Sequence, residues 1–172
     1  MTPVPLPDLR TEALATHHDR TLFTCGVESL DNYLRIYAGQ DVRRMANSVF
    51  VLVDSRGPAG ILGYYTLCAT AISQGDVPPA ARKHMPRYPL VSATLLGRLA
   101  VAEGYQGRGF GKLLVVDAMR RAYASARTIG SSMLVVDAIN EQAVAFYEAN
   151  GFVRLSASLR LGLPIVTIGK LA

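Results

Sequence analysis

Gln106-Gly107-Arg108-Gly109-Phe110-Gly111-Lys112 stands between an apolar run that ends at Val101 and a helical pattern that begins near Gly111. Three glycines within five residues, just ahead of a helix, allow several backbone N–H groups to face one anion at the helix's positive end. The stretch therefore predicts a pyrophosphate cradle. A Walker A loop would need glycine at position 106 and serine or threonine at 113, where the chain has Gln106 and Leu113. A dinucleotide fingerprint needs Gly-x-Gly-x-x-Gly, and glycines at 107, 109 and 111 do not match it. What remains is Gln-x-x-Gly-x-Gly, although a glycine-rich turn with no ligand would read the same way.

Outward from the loop the pattern is strand, loop, helix, strand. Thr94 to Val101 is apolar enough for a central strand, and Val115, Ala118, Met119, Ala122 and Ala126 make one helical stripe. Ser132 to Asp137 is the next apolar run, so the unit is a right-handed βαβ crossover. Asn140 reads as an N-cap and Gly151 as the residue past a helix end, which frames a helix from Glu141 to Asn150. Ala143, Phe146 and Tyr147 lie on or beside its buried face. Two strands, Phe152 to Leu161 and Ile165 to Leu171, are expected beyond it, broken at Leu163-Pro164.

Upstream, residues 1–20 read as an irregular lead-in or an edge strand. Leu30, Tyr33, Leu34, Tyr37, Ala38, Val42 and Met45 give a helix over 29–46 with Ser29 as its cap. Arg35, Arg43 and Arg44 lie on the other face, either as a solvated surface or as a binding patch. Ser48 to Asp54 and Ile61 to Cys68 form a hairpin around the turn Ser55 to Pro58. A Pro-rich excursion from Gly75 to Pro89 carries Arg82, Lys83, His84 and Arg87. There is no repeat, low-complexity block or linker, so residues 1–172 are expected to form a single domain.

Half of the 172 residues are apolar, yet no run approaches the roughly 18 needed to cross a bilayer. The opening Met1-Thr-Pro-Val-Pro-Leu-Pro lacks the basic-then-apolar order of a signal peptide, so the expected location is the cytoplasm. Cys25 and Cys68 are far apart and fit reduced thiols. His17, His18 and His84 have no acidic or cysteine partner at ligand spacing, and no metal site is read. A net charge of +5 points to an anionic partner, and both CoA and RNA qualify.

Gln-x-x-Gly-x-Gly after a strand and before a helix resembles the acetyl-CoA loop of the GNAT acetyltransferase superfamily. Asn140-Glu-x-x-Ala143-x-x-Phe146-Tyr147-Glu148-x-x-Gly151-Phe152 resembles that superfamily's late segment. The resemblance implies a mixed α/β (α+β) fold: a mostly antiparallel central sheet with a splayed central strand pair, flanked by helices. It implies cofactor contacts from the loop residues Gln106, Gly107, Arg108, Gly109, Phe110, Gly111 and Lys112. It gives the backbone of Leu99, Ala100 and Val101 the role of pairing with pantetheine as an added strand would. Asn140 and Phe146 line the pantetheine arm, and Tyr147 is the general acid for the CoA thiolate.

The likeness extends further. Phe23-x-Cys25-Gly26-x-x-Ser29-Leu30-Asp31-x-Tyr33-Leu34, Gly63-Tyr64-Tyr65-Thr66-Leu67, Met85-Pro86, Gly97-Arg98-Leu99-Ala100-Val101 and Leu163-Pro164 look like the acetyltransferase toxins of bacterial type II toxin–antitoxin modules. That resemblance implies acetylation of the α-amine of aminoacyl-tRNA, a block of translation, and neutralisation by a ribbon-helix-helix antitoxin. Operator DNA would be bound only through the antitoxin, and the toxin would be a homodimer. Cationic groups beside the thioester would then hold RNA, the candidates being Arg35, Arg43, Arg44, Lys83, Arg87 and Arg98. Glu103 is the one carboxylate placed to act as a base through water. An acetyltransferase for a small amine, an antibiotic or a protein N-terminus, and a non-catalytic binding module, remain as other readings.

Overall fold

A computed structural model describes residues 7–170; the start of the expected lead-in (1–6) and the end of the second expected tail strand (171–172) lie outside the described residues. The strands are β1 (Leu9–Ala13), β2 (Ser48–Asp54), β3 (Gly63–Ser73), β4 (Leu90–Val101), β5 (Met133–Asp137), β6 (Val153–Arg154) and β7 (Arg160–Pro164). They form one mixed, mostly antiparallel sheet in the order β1-β2-β3-β4-β5-β7-β6, with helices flanking it. By proximity the chain divides into two compact units: residues up to Thr66 with Leu99–Leu114, and Leu67–Arg98 with Val115 onward.

In the first unit β1 pairs antiparallel with β2, from Leu9↔Asp54 to Ala13↔Phe50, and is a sheet edge. Val49, Val51 and Val53 of β2 alternate inward, as β-branched residues on a half-buried strand should, and pack with Phe23, Tyr33, Leu34, Ala38 and Tyr64. The expected 29–46 helix is three pieces: α1 (Glu28–Asn32), a π-helical turn (Tyr33–Tyr37) and α2 (Ala38–Arg43). Ser29 is not its cap. The helix starts at Glu28 behind Val27, without a side-chain cap. Instead the Asp31 carboxylate accepts from the Cys25 N–H (2.8 Å) and the Thr24 hydroxyl (3.3 Å), pinning the approach to the helix.

The π turn inserts an extra residue into the helical register. The expected apolar stripe holds at Leu30, Tyr33, Leu34, Ala38 and Val42, while Tyr37, in the π turn, is 54% exposed and Met45, past the end of α2 with a φ of 57°, is 93% exposed. Gly63 is required by close approach. A Cβ there would lie 2.9 Å from the Ala100 carbonyl oxygen and 3.0 Å from Leu114.

In the second unit the Pro-rich excursion folds through α3 (Pro79–Arg82). Arg82 stays exposed but donates to the Val77 and Gly75 carbonyls (2.7 and 3.2 Å), so it also organises this segment. Met133 to Val136 of β5 are buried, and Met133 and Val135 pack with Ile72, Val77, Met85, Val91 and Ala93. β5 runs parallel to β4, but their ladder covers only Ala93↔Met133 to Leu96↔Val136 while β4 continues to Val101.

Of α4 (Phe110–Ala126), the residues Val115, Ala118, Met119 and Ala122 are buried as the stripe predicted. The tail departs from expectation. β6 is two residues long, and Leu163-Pro164 does not break a strand but ends β7, where Met133 pairs with Pro164. A strand end tolerates proline's missing N–H. Ile165–Ile168 is a helical turn, α6, instead of a second strand.

Candidate functional site

The glycine loop belongs to the first unit. Gly107 and Gly109 have φ of 76° and 83°, a left-handed backbone that glycine adopts without a steric penalty. A Cβ at either position would meet nothing within 4 Å, so neither glycine is there to fit against other protein atoms. That backbone and the open space beside it suit a ligand lying against the main chain. α4 begins at Phe110, and the Leu113 N–H closes onto the Gly109 carbonyl at 3.2 Å. The N–H groups of the first turn precede the helix's own hydrogen-bond ladder and remain available to an anion. Gly111 lies within that turn, and the Lys112 and Arg108 side chains are exposed. Phe110 is buried and stacks on Tyr105 (6.0 Å), whose ring also carries the Arg108 guanidinium at 5.4 Å.

Gln106 anchors the start of the loop. Its amide nitrogen donates to the Cys25 carbonyl (2.8 Å) and the Val101 carbonyl (2.9 Å), tying the 23–26 segment to the end of β4. The Glu103 N–H adds a bond to the Thr24 carbonyl (2.9 Å). Between these segments opens a pocket of about 380 Å³, lined by Asp19, Leu22, Phe23, Thr24, Glu103 and Tyr105 among others. Ala100 is buried, and Leu99 and Val101 are half-buried on β4. Cys25 is buried, and desolvation first, then its hydrogen bond with Asp31, pushes its thiol up to about 11. Burial also raises Cys68, so neither thiol is an activated nucleophile.

Tyr147 belongs to the second unit, on α5 (Glu141–Ala149). Asn140 caps that helix as expected, its Oδ1 accepting from the Ala143 N–H at 2.9 Å. Gly151 follows the helix with φ of 97°, and the Phe152 N–H returns to the Tyr147 carbonyl (3.2 Å). Edge contacts with Phe146 (5.1 Å) and Phe152 (5.6 Å) hold the Tyr147 ring, which is 6% exposed. Burial drives its phenol well above the ordinary range, so at neutral pH it keeps its proton and has it to donate.

The expected cationic residues separate into groups. Arg35 is committed to the Phe23 carbonyl. Arg44 faces the Gln40 amide oxygen at 2.7 and 2.8 Å once that amide is turned toward it. Arg43, Lys83 and Arg87 are exposed, and Arg98, half-buried on β4, draws the Cys68 thiol back down. Sequence reasoning missed Arg20, which donates to the Leu34 carbonyl (3.3 Å) and packs over Gly39. Nothing periodic marks it in the sequence.

The histidine reading needs correcting. Glu12 Oε1 lies 2.7 Å from His18 Nε2 and 3.4 Å from His17 Nε2, because the chain after β1 folds back on that strand. His18 Nδ1 accepts from the Ala15 N–H (2.9 Å), which places the ring proton on Nε2, directed at Glu12. That nitrogen has no lone pair for a metal, and the trio is a buried-histidine clamp.

Comparison with known proteins agrees with this geometry. The family description Acetyltransferase (GNAT) domain matches residues 46–154. A tRNA-acetylating toxin of Mycobacterium tuberculosis is 37% identical over 130 residues, 75% of this chain and 75% of its own. The structure of AtaT complexed with acetyl-methionyl-tRNAfMet has a TM-score of 0.88 at 31% identity, covering 95% of this chain and 99% of that one. A tyrosine-to-phenylalanine mutant of AtaT, bound to the C-terminus of the antitoxin AtaR, reaches 0.82 at 30% identity, with 95% and 98% covered. The chain belongs to the GNAT acetyltransferase family and is an N-acetyltransferase whose cofactor is acetyl-CoA.

Proposed function

We propose that this protein is a toxin of a toxin–antitoxin pair that acetylates the α-amine of aminoacyl-tRNA in the cytoplasm and so arrests translation. The observation that carries the chemistry is Tyr147, a buried phenol clamped between two phenylalanines with its proton retained. Support for the acceptor comes from the tRNA-acetylating relative and from AtaT, solved with an acetylated tRNA. Residues 1–172 act as one catalytic domain. A homodimer and a ribbon-helix-helix antitoxin, through which operator DNA is bound, complete the reading; AtaT with the C-terminus of AtaR is its nearest support.

Bound acetyl-CoA supplies the acetyl thioester. The backbone of 107–112 would hold its pyrophosphate and the β4 backbone from Leu99 to Val101 its pantetheine; in the second unit, Asn140 and Phe146 are the further residues proposed for cofactor binding. Tyr147 would give its proton to the departing CoA sulfur as the amine nitrogen takes the acetyl group, and the proton the amine loses would return to Tyr147 through water. An aminoacyl α-amine is less basic than a lysine amine and is largely neutral near pH 7. A dedicated carboxylate base is therefore not needed.

The decisive experiment is mass spectrometry of tRNA-linked amino acids after a brief pulse of expression, with Tyr147→Phe as the partner variant. N-acetylated aminoacyl-tRNA should accumulate with the wild type. Tyr147→Phe should fall roughly a hundredfold or more in turnover while retaining acetyl-CoA binding and relieving growth arrest. A fully toxic Tyr147→Phe would overturn the assignment. A second reading, a small cationic amine as acceptor, is favoured by the two carboxylates, Asp19 and Glu103, in the pocket beside the loop. Higher kcat/KM for such an amine than for aminoacyl-tRNA would establish it.

A further inference from the structure

A smaller cavity of about 160 Å³ in the first unit is lined by Leu14, Ala15, Thr16, Arg20, Gly39, Val42 and Arg43. Its lining is mostly apolar; two arginines, Arg20 and Arg43, contribute to it and no acidic residue does. Arg20 is held in place by its bond to the Leu34 carbonyl (3.3 Å) and by Gly39, where a Cβ would sit 3.0 Å from Arg20 Nη1. Neither Arg20 nor Arg43 forms an ion pair among the described residues, and the Thr16 hydroxyl makes no hydrogen bond among them. Two like charges at one small cavity without a counter-charge repel each other, and an anion with several acceptor oxygens relieves that repulsion. Leu14 and Val42 complete the lining with an apolar patch.

From this arrangement we infer that the Arg20–Arg43–Thr16 cavity is a binding site for one backbone phosphodiester of the acceptor RNA, with the adjoining ribose resting on Leu14 and Val42. Arg20 and Arg43 match the non-bridging oxygens as planar donors, and the Thr16 hydroxyl adds a third donor. Phosphodiester is favoured over a peptide carboxylate because the donor groups outnumber what one carboxylate can accept. The inference rests on the aminoacyl-tRNA reading and adds Arg20 and Thr16 to it.

The test is fluorescence anisotropy of deacylated tRNA with the full-length protein, across a salt series. Arg43→Gln and Arg20→Gln should each weaken binding roughly fivefold to tenfold and lower the salt slope by about 1. Gly39→Ala, which displaces Arg20 without removing charge, should weaken it in the same direction, and Arg43→Lys should recover part of the loss. Acetyl-CoA affinity, measured by calorimetry on each variant, should stay within about twofold and reports that the protein is folded. Wild-type binding with an unchanged Arg43→Gln variant overturns the inference and leaves the tRNA reading standing. A wild type that neither binds nor acetylates tRNA removes both. Loss of binding to an acidic, leucine-containing peptide, with tRNA binding kept, would reassign the cavity to a protein partner and also overturn it.

Discussion

Gln106 shows how a motif residue can carry a structural task beside the one the motif implies. Its place in Gln-x-x-Gly-x-Gly implies a cofactor contact, yet its amide nitrogen is spent on the Cys25 and Val101 carbonyls. It thus acts on the loop by fixing where the loop starts. Gln106→Ala should cost about 1–2 kcal/mol of stability, the worth of two such bonds, and should raise KM for acetyl-CoA more than it lowers kcat. Gln106→Glu should be worse on both counts, since it turns an acceptor toward two carbonyl oxygens. Urea unfolding with steady-state kinetics checks the pair. If Gln106→Glu matched or exceeded Gln106→Ala in stability, the tether would be wrong.

At the scale of elements, α5 is where local signals and structure agree most closely. Asn140 begins it, Gly151 follows it, and Tyr147 is set on its inner face two turns along. Asn140 is exposed, and its capping bond accounts for its side chain. Asn140→Ala should therefore lose about 1 kcal/mol in chemical denaturation and Asn140→Asp should restore it, because both oxygens cap equally well. A cofactor-affinity loss in Asn140→Asp with full stability would instead assign the side chain to pantetheine. The 28–43 segment shows the opposite case. Its apolar spacing is real, but Tyr37 in the π turn at Tyr33–Tyr37 faces solvent, as does Met45 beyond the end of α2.

For the molecule as a whole, two buried protonated groups set the alkaline limit. Cys25 titrates near 11 in the folded chain against an ordinary value of 9.0, and Tyr147 is shifted upward as well, in both cases first by burial. Between those values the unfolded chain has lost the Cys25 proton and the folded chain has kept it. Stability must therefore fall as pH rises from about 9.0 to about 11. Thermal unfolding against pH should show that decline, and Cys25→Ala should flatten part of it. An unchanged slope in Cys25→Ala would show that other groups set the limit.

The sequence by itself determined the succession of elements from Ser48 to Gly151, the glycine loop and the cap of α5. Each of these is written in local spacing: alternation in β2, a buried stripe in α4, turn chemistry at Gly107 and Gly109, and an Asn–Gly frame around Tyr147. Only the tertiary structure decided which cations are free and which are ties. Arg35, Arg82 and Arg20 differ in the carbonyls they reach, and those carbonyls come from turns whose positions no periodicity records. The same holds for Glu12 closing on His18, and for Gln106. Its partner carbonyl at Cys25 is 81 residues away, a distance that only the folded chain brings within a hydrogen bond of the opening loop.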